Sequence, residues 1–190
     1  MNVAVIAQAI DYYGRFAQML EVPYLVDADI LAYTLPENKE DRPLGHPNGK
    51  YYVASAEQSF LQMEKDGFEF AVGNPYMALT PCYRTEENLD DTHFNIFLKL
   101  ELIEFYPDAT IEEYANAMRC FFSTYYGVKT YLVPTNIGVD VEDEYGLELG
   151  SFGMRESPKG HPYIYATGIA EPRASLAINR VVNNIQSISK

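Results

Sequence analysis

Hydrophobic and polar residues alternate along positions 93–102, a pattern that predicts a strand with two chemically different faces. One face would be built by the apolar side chains of Phe94, Ile96, Leu98, Leu100 and Leu102. The other face would carry His93, Asn95, Phe97, Lys99 and Glu101. A polar, acidic turn separates this run from residues 77–84. The two runs are therefore predicted to form a hairpin, with its apolar face in the core and its polar face as a working surface.

Apolar residues at helical spacing predict four amphipathic helices along the chain. They cover residues 3–20, 56–67 and 111–125 and a C-terminal stretch that opens near residue 173. Ser55 is a predicted N-cap for the second helix. Thr110 and Glu113 have the spacing of a capping box for the third. Further strands are predicted at 22–26, 51–54, 68–72, 128–133 and 163–167, and the proline- and glycine-rich residues 35–50 predict a long loop.

Length and charge limit the function classes. With 190 residues and 21.6 kDa, residues 1–190 suit one domain that can bury a core without disulfides or metals. The net charge is −13 and the pI is near 4.5, so a long nucleic-acid partner is disfavoured. Cys82 and Cys120 are the only cysteines and lack a C-x-x-C spacing, which favours reduced core residues. No basic leader and no apolar run of about 20 residues is present, so we expect a soluble, cytoplasmic protein with no membrane partner.

The hairpin carries a specific pattern of charged and aromatic residues. Tyr83-Arg84-Thr85-Glu86, followed by His93 to Phe97, resembles the second signature motif of class II aminoacyl-tRNA synthetases. The resemblance implies that Arg84 contacts the α-phosphate of ATP and the substrate carboxylate, with Glu86 near the adenine amino group. It also implies Phe97 stacked on adenine, and His93 touching phosphate. The structural alternative is an amphipathic hairpin whose outer charges are solvated.

Two earlier stretches match the same family. The first helix, followed by Glu21-Val22-Pro23, resembles the family's first motif, which implies a homodimer built through the N-terminal helix and Pro23. The S-A-E-Q turn at 55–58 resembles the family's substrate loop, in which Glu57 or Gln58 would receive the α-amino group of an amino acid. Ser55 and Glu101 would complete that substrate site. The structural alternative for Glu57 is a first-turn glutamate that favours the helix dipole.

The glycine-rich stretch 148–155 gives the most specific match. Glu148-Leu-Gly-Ser151-Phe-Gly-Met-Arg155 resembles a strand of ammonia-dependent asparagine synthetase and of aspartyl- and asparaginyl-tRNA synthetases. The resemblance implies that Glu148 and Ser151 hold Mg²⁺ on ATP and that Arg155 grips an aspartate-like side chain. Strict alternation would place Glu148 and Ser151 on opposite faces, so a bulge is predicted, which Gly150 could supply. A surface hairpin with a solvated acidic turn is the alternative.

Near the C-terminus, Gly168-Ile-Ala-Glu-Pro-Arg173 resembles the family's third motif, G-x-G-x-x-R. This implies Arg173 on the γ-phosphate, with Ala170 replacing the second glycine. A competing register places Arg180 in that role. We favour Arg173 because it keeps the first glycine and lies at the helix entrance.

The matches follow one another in the family's order, and the sequence carries no P-loop, G-x-S-x-G or H-E-x-x-H motif. The resemblance implies an α/β (α+β) single domain with a mostly antiparallel sheet flanked by helices. It also implies an ATP- and Mg²⁺-dependent ligase that converts an aspartate-like amino acid to an acyl-adenylate, with Arg84 and Arg173 neutralising phosphate charge. Ammonia or a small amine is the expected acceptor, and tRNA is possible but not favoured. The alternative is a non-catalytic paralogue that binds an amino acid or nucleotide and regulates a partner.

Overall fold

The computed structural model describes residues 1–34, 43–85, 89–90 and 94–188. Its helices are α1 (Val3–Tyr13), α2 (Ala28–Thr34), α3 (Ala56–Lys65), α4 (Ile111–Tyr126) and α5 (Arg173–Ile188). Its strands are β1 (Gln18–Met19), β2 (Leu25–Val26), β3 (Tyr51–Tyr52), β4 (Pro75–Tyr83), β5 (Ile96–Phe105), β6 (Thr130–Pro134), β7 (Gly138–Asp143), β8 (Glu148–Glu156) and β9 (Pro162–Glu171).

Seven strands form one sheet in the order β1-β4-β5-β9-β8-β7-β6. The short edge strand β1 runs parallel to β4, and every other neighbouring pair is antiparallel. Strands β2 and β3 form a separate antiparallel pair. The predicted hairpin is confirmed, because Tyr83 pairs with Ile96 and Pro75 with Glu104 along the whole length of β4 and β5.

Helices cover both faces of the sheet, and each face has its own hydrophobic core. Helices α1, α4 and α5 cover one face, where Leu100 and Leu102 are buried. Helices α2 and α3 cover the other, where Ile103 and Phe105 are buried. The prediction of a single core face along β5 is therefore wrong for its second half. It is also wrong for Ile96, which is 56% exposed at the open end of the strand.

Two predicted elements are corrected by the structure. Helix α1 ends at Tyr13 rather than at residue 20, because Gly14 caps it and the chain then turns so that Gln18 and Met19 pair with β4. Residues 68–72 form no strand. The Phe70 ring packs against the core beside α3 instead and stacks on Phe105 at 4.5 Å between ring centroids, whereas Phe68 is exposed.

The predicted helix starts at residues 56 and 111 are confirmed by their caps. The Ser55 side chain accepts a hydrogen bond from the Glu57 N–H. Thr110 and Glu113 form both hydrogen bonds of the capping box, and Gly127 closes α4 in the left-handed conformation with φ of 64°. Helix α2 has no counterpart among the predicted helices. Within the described ranges, no helix combines the length and hydrophobicity that spanning a bilayer requires.

The two cysteines are expected to differ sharply in reactivity. Cys82 is fully buried, and burial, with a smaller contribution from the Glu101 charge, raises the pKa of its thiol to about 12. Cys120 is exposed on α4, so the prediction of a core position is wrong for this cysteine. We expect iodoacetamide at pH 8 to modify Cys120 alone, because the thiolate is the reacting species. Mass spectrometry of tryptic peptides measures this, and modification of Cys82 at a similar rate in the folded protein would contradict the expected burial. Both should react in urea.

Candidate functional site

The residues predicted to bind the nucleotide converge at one end of the sheet. Because neighbouring strands are antiparallel, β4 and β9 end where β5 and β8 begin. Arg84 follows β4, Phe97 begins β5, Glu148 opens β8 and Arg173 follows β9. Residues more than 80 positions apart in the sequence are thereby brought together at one end of the sheet.

Arg84 and Phe97 are in direct contact. The guanidinium carbon of Arg84 lies 5.0 Å from the centroid of the Phe97 ring, a cation–π distance. The Arg84 N–H donates to the Asn95 carbonyl at 2.9 Å, which extends the hairpin beyond the paired strands and fixes the arginine opposite Phe97. Glu86 and His93, which were also predicted to bind nucleotide, lie outside the described residues.

Glu148 and Arg173 form an ion pair with an Nη1–Oε1 distance of 3.4 Å. Arg173 is the first residue of α5, as the third-motif match predicted, and the alternative Arg180 lies elsewhere. Arg180 donates to Asp143 at 2.8 Å and stacks on Tyr145. Asp143 lies two residues after the buried Val141, on the sheet face that α4 covers, so Arg180 points to the opposite face from Ser151.

The predicted bulge in β8 is present. Val141 pairs with Gly150 whereas Glu142 pairs with Glu148, so Leu149 is the extra residue. The bulge brings Glu148 to the same sheet face as Ser151, since their partners in β7, Glu142 and Asp140, are two residues apart. Without it, the carboxylate and the hydroxyl would lie on opposite faces.

Asp140 is a site residue that the sequence reading missed. It pairs with Ser151 across β7 and β8, and its Oδ1 atom is buried without a hydrogen-bond partner. Burial raises the pKa of Asp140, the neighbouring Ser151 lowers it, and the charges of Glu148 and Glu142 raise it further. The alternation of Asp140 and Glu142 was the available signal, but it becomes informative only when β8 is known to lie beside it.

This oxygen-rich corner fits a hard divalent cation. Glu148, Ser151 and Asp140 offer only oxygen donors, and the unpartnered Oδ1 of Asp140 lacks the hydrogen bond that a buried carboxylate normally has. Within the described residues, no group of three or more His, Cys, Asp or Glu side chains forms a complete metal site. A Mg²⁺ ion there would therefore depend on ligands from a bound phosphate group.

The predicted substrate residues lie farther along the same face, under the N-terminus of α3. Glu101 is 5% exposed and accepts from the Ser55 hydroxyl at 2.8 Å and from the Ala56 N–H. Lys99 forms an ion pair with Glu101 at 2.6 Å. Ser55 and Glu101 are thus brought together, and they join the start of α3 to the middle of β5.

Glu57 and Arg155 form the second charged contact between α3 and the sheet. Arg155 donates to the Glu57 carboxylate at 3.0 and 3.2 Å, and the Tyr163 hydroxyl donates to it at 2.8 Å. The Arg155 guanidinium also lies 4.6 Å from the centroid of the Tyr165 ring. Burial raises the pKa of Glu57, and Arg155 and Tyr163 oppose that effect. Burial lowers the pKa of Arg155, but Glu57 and the two tyrosines outweigh it and raise the pKa overall.

Glycine at position 153 makes room for this arrangement. A Cβ atom there would overlap the Tyr165 ring, whose hydroxyl is buried without a hydrogen-bond partner. Gln58, the remaining predicted substrate residue, uses its carboxamide elsewhere. Its Nε2 donates to the Thr34 hydroxyl at 2.9 Å and its Oε1 accepts from the Ala54 N–H at 2.8 Å, so these hydrogen bonds join α3 to α2 and to the segment after β3.

No protein-family model matches the chain, and no curated protein matches it in sequence. Its fold is similar to a pyrrolysyl-tRNA synthetase, PylSc, from Desulfitobacterium hafniense, with a TM-score of 0.70 and 15% identity over 92% of this chain and 67% of that one. A second pyrrolysyl-tRNA synthetase structure from that organism has a TM-score of 0.67 and 16% identity over 97% and 69% of the two chains. At these identities the likeness establishes the fold alone. It confirms a single α+β domain with the mostly antiparallel sheet of class II synthetase catalytic domains.

Proposed function

We propose that this chain is an ATP-dependent ligase that activates the carboxylate of a small amino acid as an acyl-adenylate. The observation that carries the proposal is the arrangement of one cation–π contact and two ion pairs on one sheet face. Arg84 with Phe97 and Glu148 with Arg173 lie at its open end, and Glu57 with Arg155 lies deeper under α3. A substrate carboxylate bound between the two ends would face the α-phosphate of ATP at the open end. The rest of the amino acid would lie against the residues under α3.

At the open end, the side chains suit a nucleotide. The Phe97 ring offers a flat surface on which adenine can stack, as any base can on an aromatic side chain. Arg84 and Arg173 would each present a planar fork of N–H donors to phosphate oxygens. Positioning and neutralisation of charge then lower the barrier to attack on the α-phosphate, without a protein nucleophile.

Magnesium, when bound, neutralises triphosphate charge and draws electron density from the phosphorus–oxygen bonds under attack. We propose that Glu148 and Ser151 hold it, as the family resemblance implies, and that Asp140 supplies a further oxygen. Arg173 is proposed to bind the γ-phosphate, and its ion pair with Glu148 at 3.4 Å would keep its guanidinium beside the proposed metal ligands.

At the deeper end, we propose from the family resemblance that Arg155 binds the side chain of an aspartate-like substrate. Its guanidinium is already paired with Glu57, whose negative charge opposes a substrate carboxylate. A carboxamide, which offers an acceptor to Arg155 and a donor to Glu57, suits this pair. The α-amino group would have Glu57 or Glu101 as acceptor, and the buried Tyr165 hydroxyl remains available to the ligand.

Phe97→Leu is expected to raise the KM for ATP about tenfold with a smaller change in kcat, because stacking on a base contributes about 1–3 kcal/mol. Pyrophosphate exchange at varied ATP concentration measures this. Phe16→Leu, which replaces an exposed ring outside the site, is the matched control. An unchanged KM in Phe97→Leu would contradict the stacking role.

The acceptor and the assembly are the finer parts of the proposal. Ammonia or a small amine is the proposed acceptor, since the net charge of −13 disfavours tRNA. A gel shift with tRNA at physiological salt separates the two possibilities. A homodimer through α1 and the Pro23 region is proposed from the motif resemblance, and light scattering of the purified protein measures it.

A second candidate is a non-catalytic paralogue that senses an amino acid or a nucleotide. The observation that favours it is Ala170, which replaces the second glycine of the third motif and is 7% exposed opposite Lys99. A methyl group at this point of β9 narrows the space between β5 and the start of α5, where the nucleotide would lie.

ATP–pyrophosphate exchange with Mg²⁺ tests the proposal, using aspartate, asparagine and a wider panel that includes lysine derivatives. Exchange with one amino acid would identify an adenylate-forming enzyme and its substrate. Binding of ATP by calorimetry with no exchange for any amino acid would overturn the ligase proposal and support the sensor. The lysine derivatives are included because the two similar structures are pyrrolysyl-tRNA synthetases.

A further inference from the structure

A groove of about 520 Å³ lies between α4 and the beginning of β6, on the face of the sheet opposite Arg155. We call it the α4–β6 groove. It is lined by Asn116, Arg119, Cys120, Ser123, Lys129 and Thr130, together with Gly127, Val128 and Tyr131. Its lining contains two cations and no carboxylate, in a chain whose net charge is −13.

The donors in the groove are incompletely used. Arg119 Nη1 donates to Asn116 at 3.0 Å, which leaves the Nε and Nη2 edge, the side that binds oxyanions in a bidentate manner. The Nε atom is buried and has no hydrogen-bond partner. Lys129 is exposed, and among the described residues neither cation forms an ion pair with a carboxylate. A buried guanidinium N–H without an acceptor is costly unless a ligand supplies one.

The end of α4 opposes an anion, because its last carbonyls carry partial negative charge. Of the last four carbonyls of α4, that of Ser123 accepts a hydrogen bond from the Gly127 N–H. A helix C-terminus carries about half a negative charge, so the two full positive charges of Arg119 and Lys129 exceed it.

We propose that the α4–β6 groove binds the phosphate group of a small phosphorylated molecule, independently of the proposed ligase activity. Once the Arg119 side chain turns its buried Nε and Nη2 edge into the groove, that edge would hold two phosphate oxygens and the Lys129 ammonium a third, with Asn116 and Thr130 within the same lining. A fork plus a point charge matches a dianion with three terminal oxygens better than it matches a single carboxylate.

Cys120 makes the groove directly measurable, because it lines the groove and is exposed, whereas Cys82 is buried. A bound phosphate would block access to the thiol and disfavour its thiolate, so it should slow alkylation by the neutral reagent iodoacetamide. The experiment measures the alkylation rate against inorganic phosphate concentration, with ionic strength held constant by chloride.

We expect phosphate to slow the alkylation of Cys120 several-fold, with saturation. In Arg119→Gln, the phosphate concentration that gives half of this protection should rise about tenfold, since a hydrogen bond to a charged group contributes about that factor. Lys129→Gln should weaken protection too, and it removes an exposed side chain on which folding does not depend. Lys65→Gln, which removes an exposed cation on α3 at the other face of the sheet, should not weaken protection.

Four results would overturn the proposal. If phosphate slowed alkylation no more than chloride at the same ionic strength, no phosphate site would exist. If acetate protected Cys120 as well as phosphate does, the groove would be a general anion-binding patch. Loss of protection in Arg173→Ala would show that phosphate acts through the candidate active site. Protection by an RNA hairpin at concentrations a thousandfold below those of phosphate would show a nucleic-acid surface instead.

Discussion

Arg173→Ala is expected to lower kcat for amino-acid-dependent pyrophosphate exchange by about 10²–10³-fold, the usual cost of removing one preorganised donor from a developing negative charge. Arg173 begins α5 and pairs at 3.4 Å with Glu148, one of the proposed magnesium ligands. The fold should tolerate the change. Glu148 is 47% exposed, and exposed ion pairs contribute about 0–1 kcal/mol to stability.

Two controls make this result specific. Arg180→Ala removes an arginine two turns further along α5 that pairs with Asp143 on the other sheet face, and exchange should change only a few-fold. Arg173→Lys keeps the charge but loses the planar fork, so its kcat should fall between those of the wild type and Arg173→Ala. If Arg180→Ala abolished exchange in a folded protein while Arg173→Ala kept it, the third-motif register would be wrong.

Local patterns predicted the parts of the fold in which neighbours in sequence are neighbours in space. The β4–β5 hairpin followed from alternation, and the starts of α3 and α4 followed from Ser55 and from Thr110 with Glu113. A bulge in β8 was predicted because the resemblance required Glu148 and Ser151 to share a face; it was assigned to Gly150, and the extra residue is its neighbour Leu149. The alternation of residues 93–102 and the two helix caps are features that a window of about ten residues contains in full.

The predictions that were wrong concern features that depend on long-range packing. Residues 68–72 have the composition of a strand, but in the described part of the chain they form no strand pairing, and the Phe70 ring stacks on Phe105 of β5 instead. In β5, helices cover both faces, so a polar position such as Glu101 becomes buried under α3. Sequence alternation describes the side chains of one strand and carries no information on what packs above it.

The candidate site shows the same limit. Arg155 was assigned to an aspartate-like substrate, whereas the structure also pairs it with Glu57, 98 positions earlier. Asp140 was passed over because its significance depends on Ser151 lying opposite. The motif of β8 identified Ser151 and Arg155, but it did not identify the residues that contact them, Asp140 of β7 and Glu57 of α3.

Arg155→Met is expected to lower the free energy of unfolding by about 3 kcal/mol at pH 8, because it leaves the buried Glu57 carboxylate without its cation. The loss should be smaller at pH 5. Burial already holds the pKa of Glu57 above its ordinary 4.5, so the folded chain binds this proton more tightly than the unfolded chain, and stability falls as the pH rises through that interval. Arg155 opposes this rise in the pKa of Glu57, so removing Arg155 raises that pKa further and widens the pH range over which stability falls.

Urea unfolding of the wild type and the variants at pH 5 and pH 8 measures this effect. Glu57→Gln combined with Arg155→Met removes both charges, and it should recover most of the loss at pH 8 and abolish the pH difference. Glu57→Gln alone should cost less than Arg155→Met, since the Arg155 side chain is 30% exposed and keeps its contact with Tyr165. An equal loss for Arg155→Met at both pH values would show that Arg155 stabilises the fold by packing on Tyr165 rather than by neutralising Glu57.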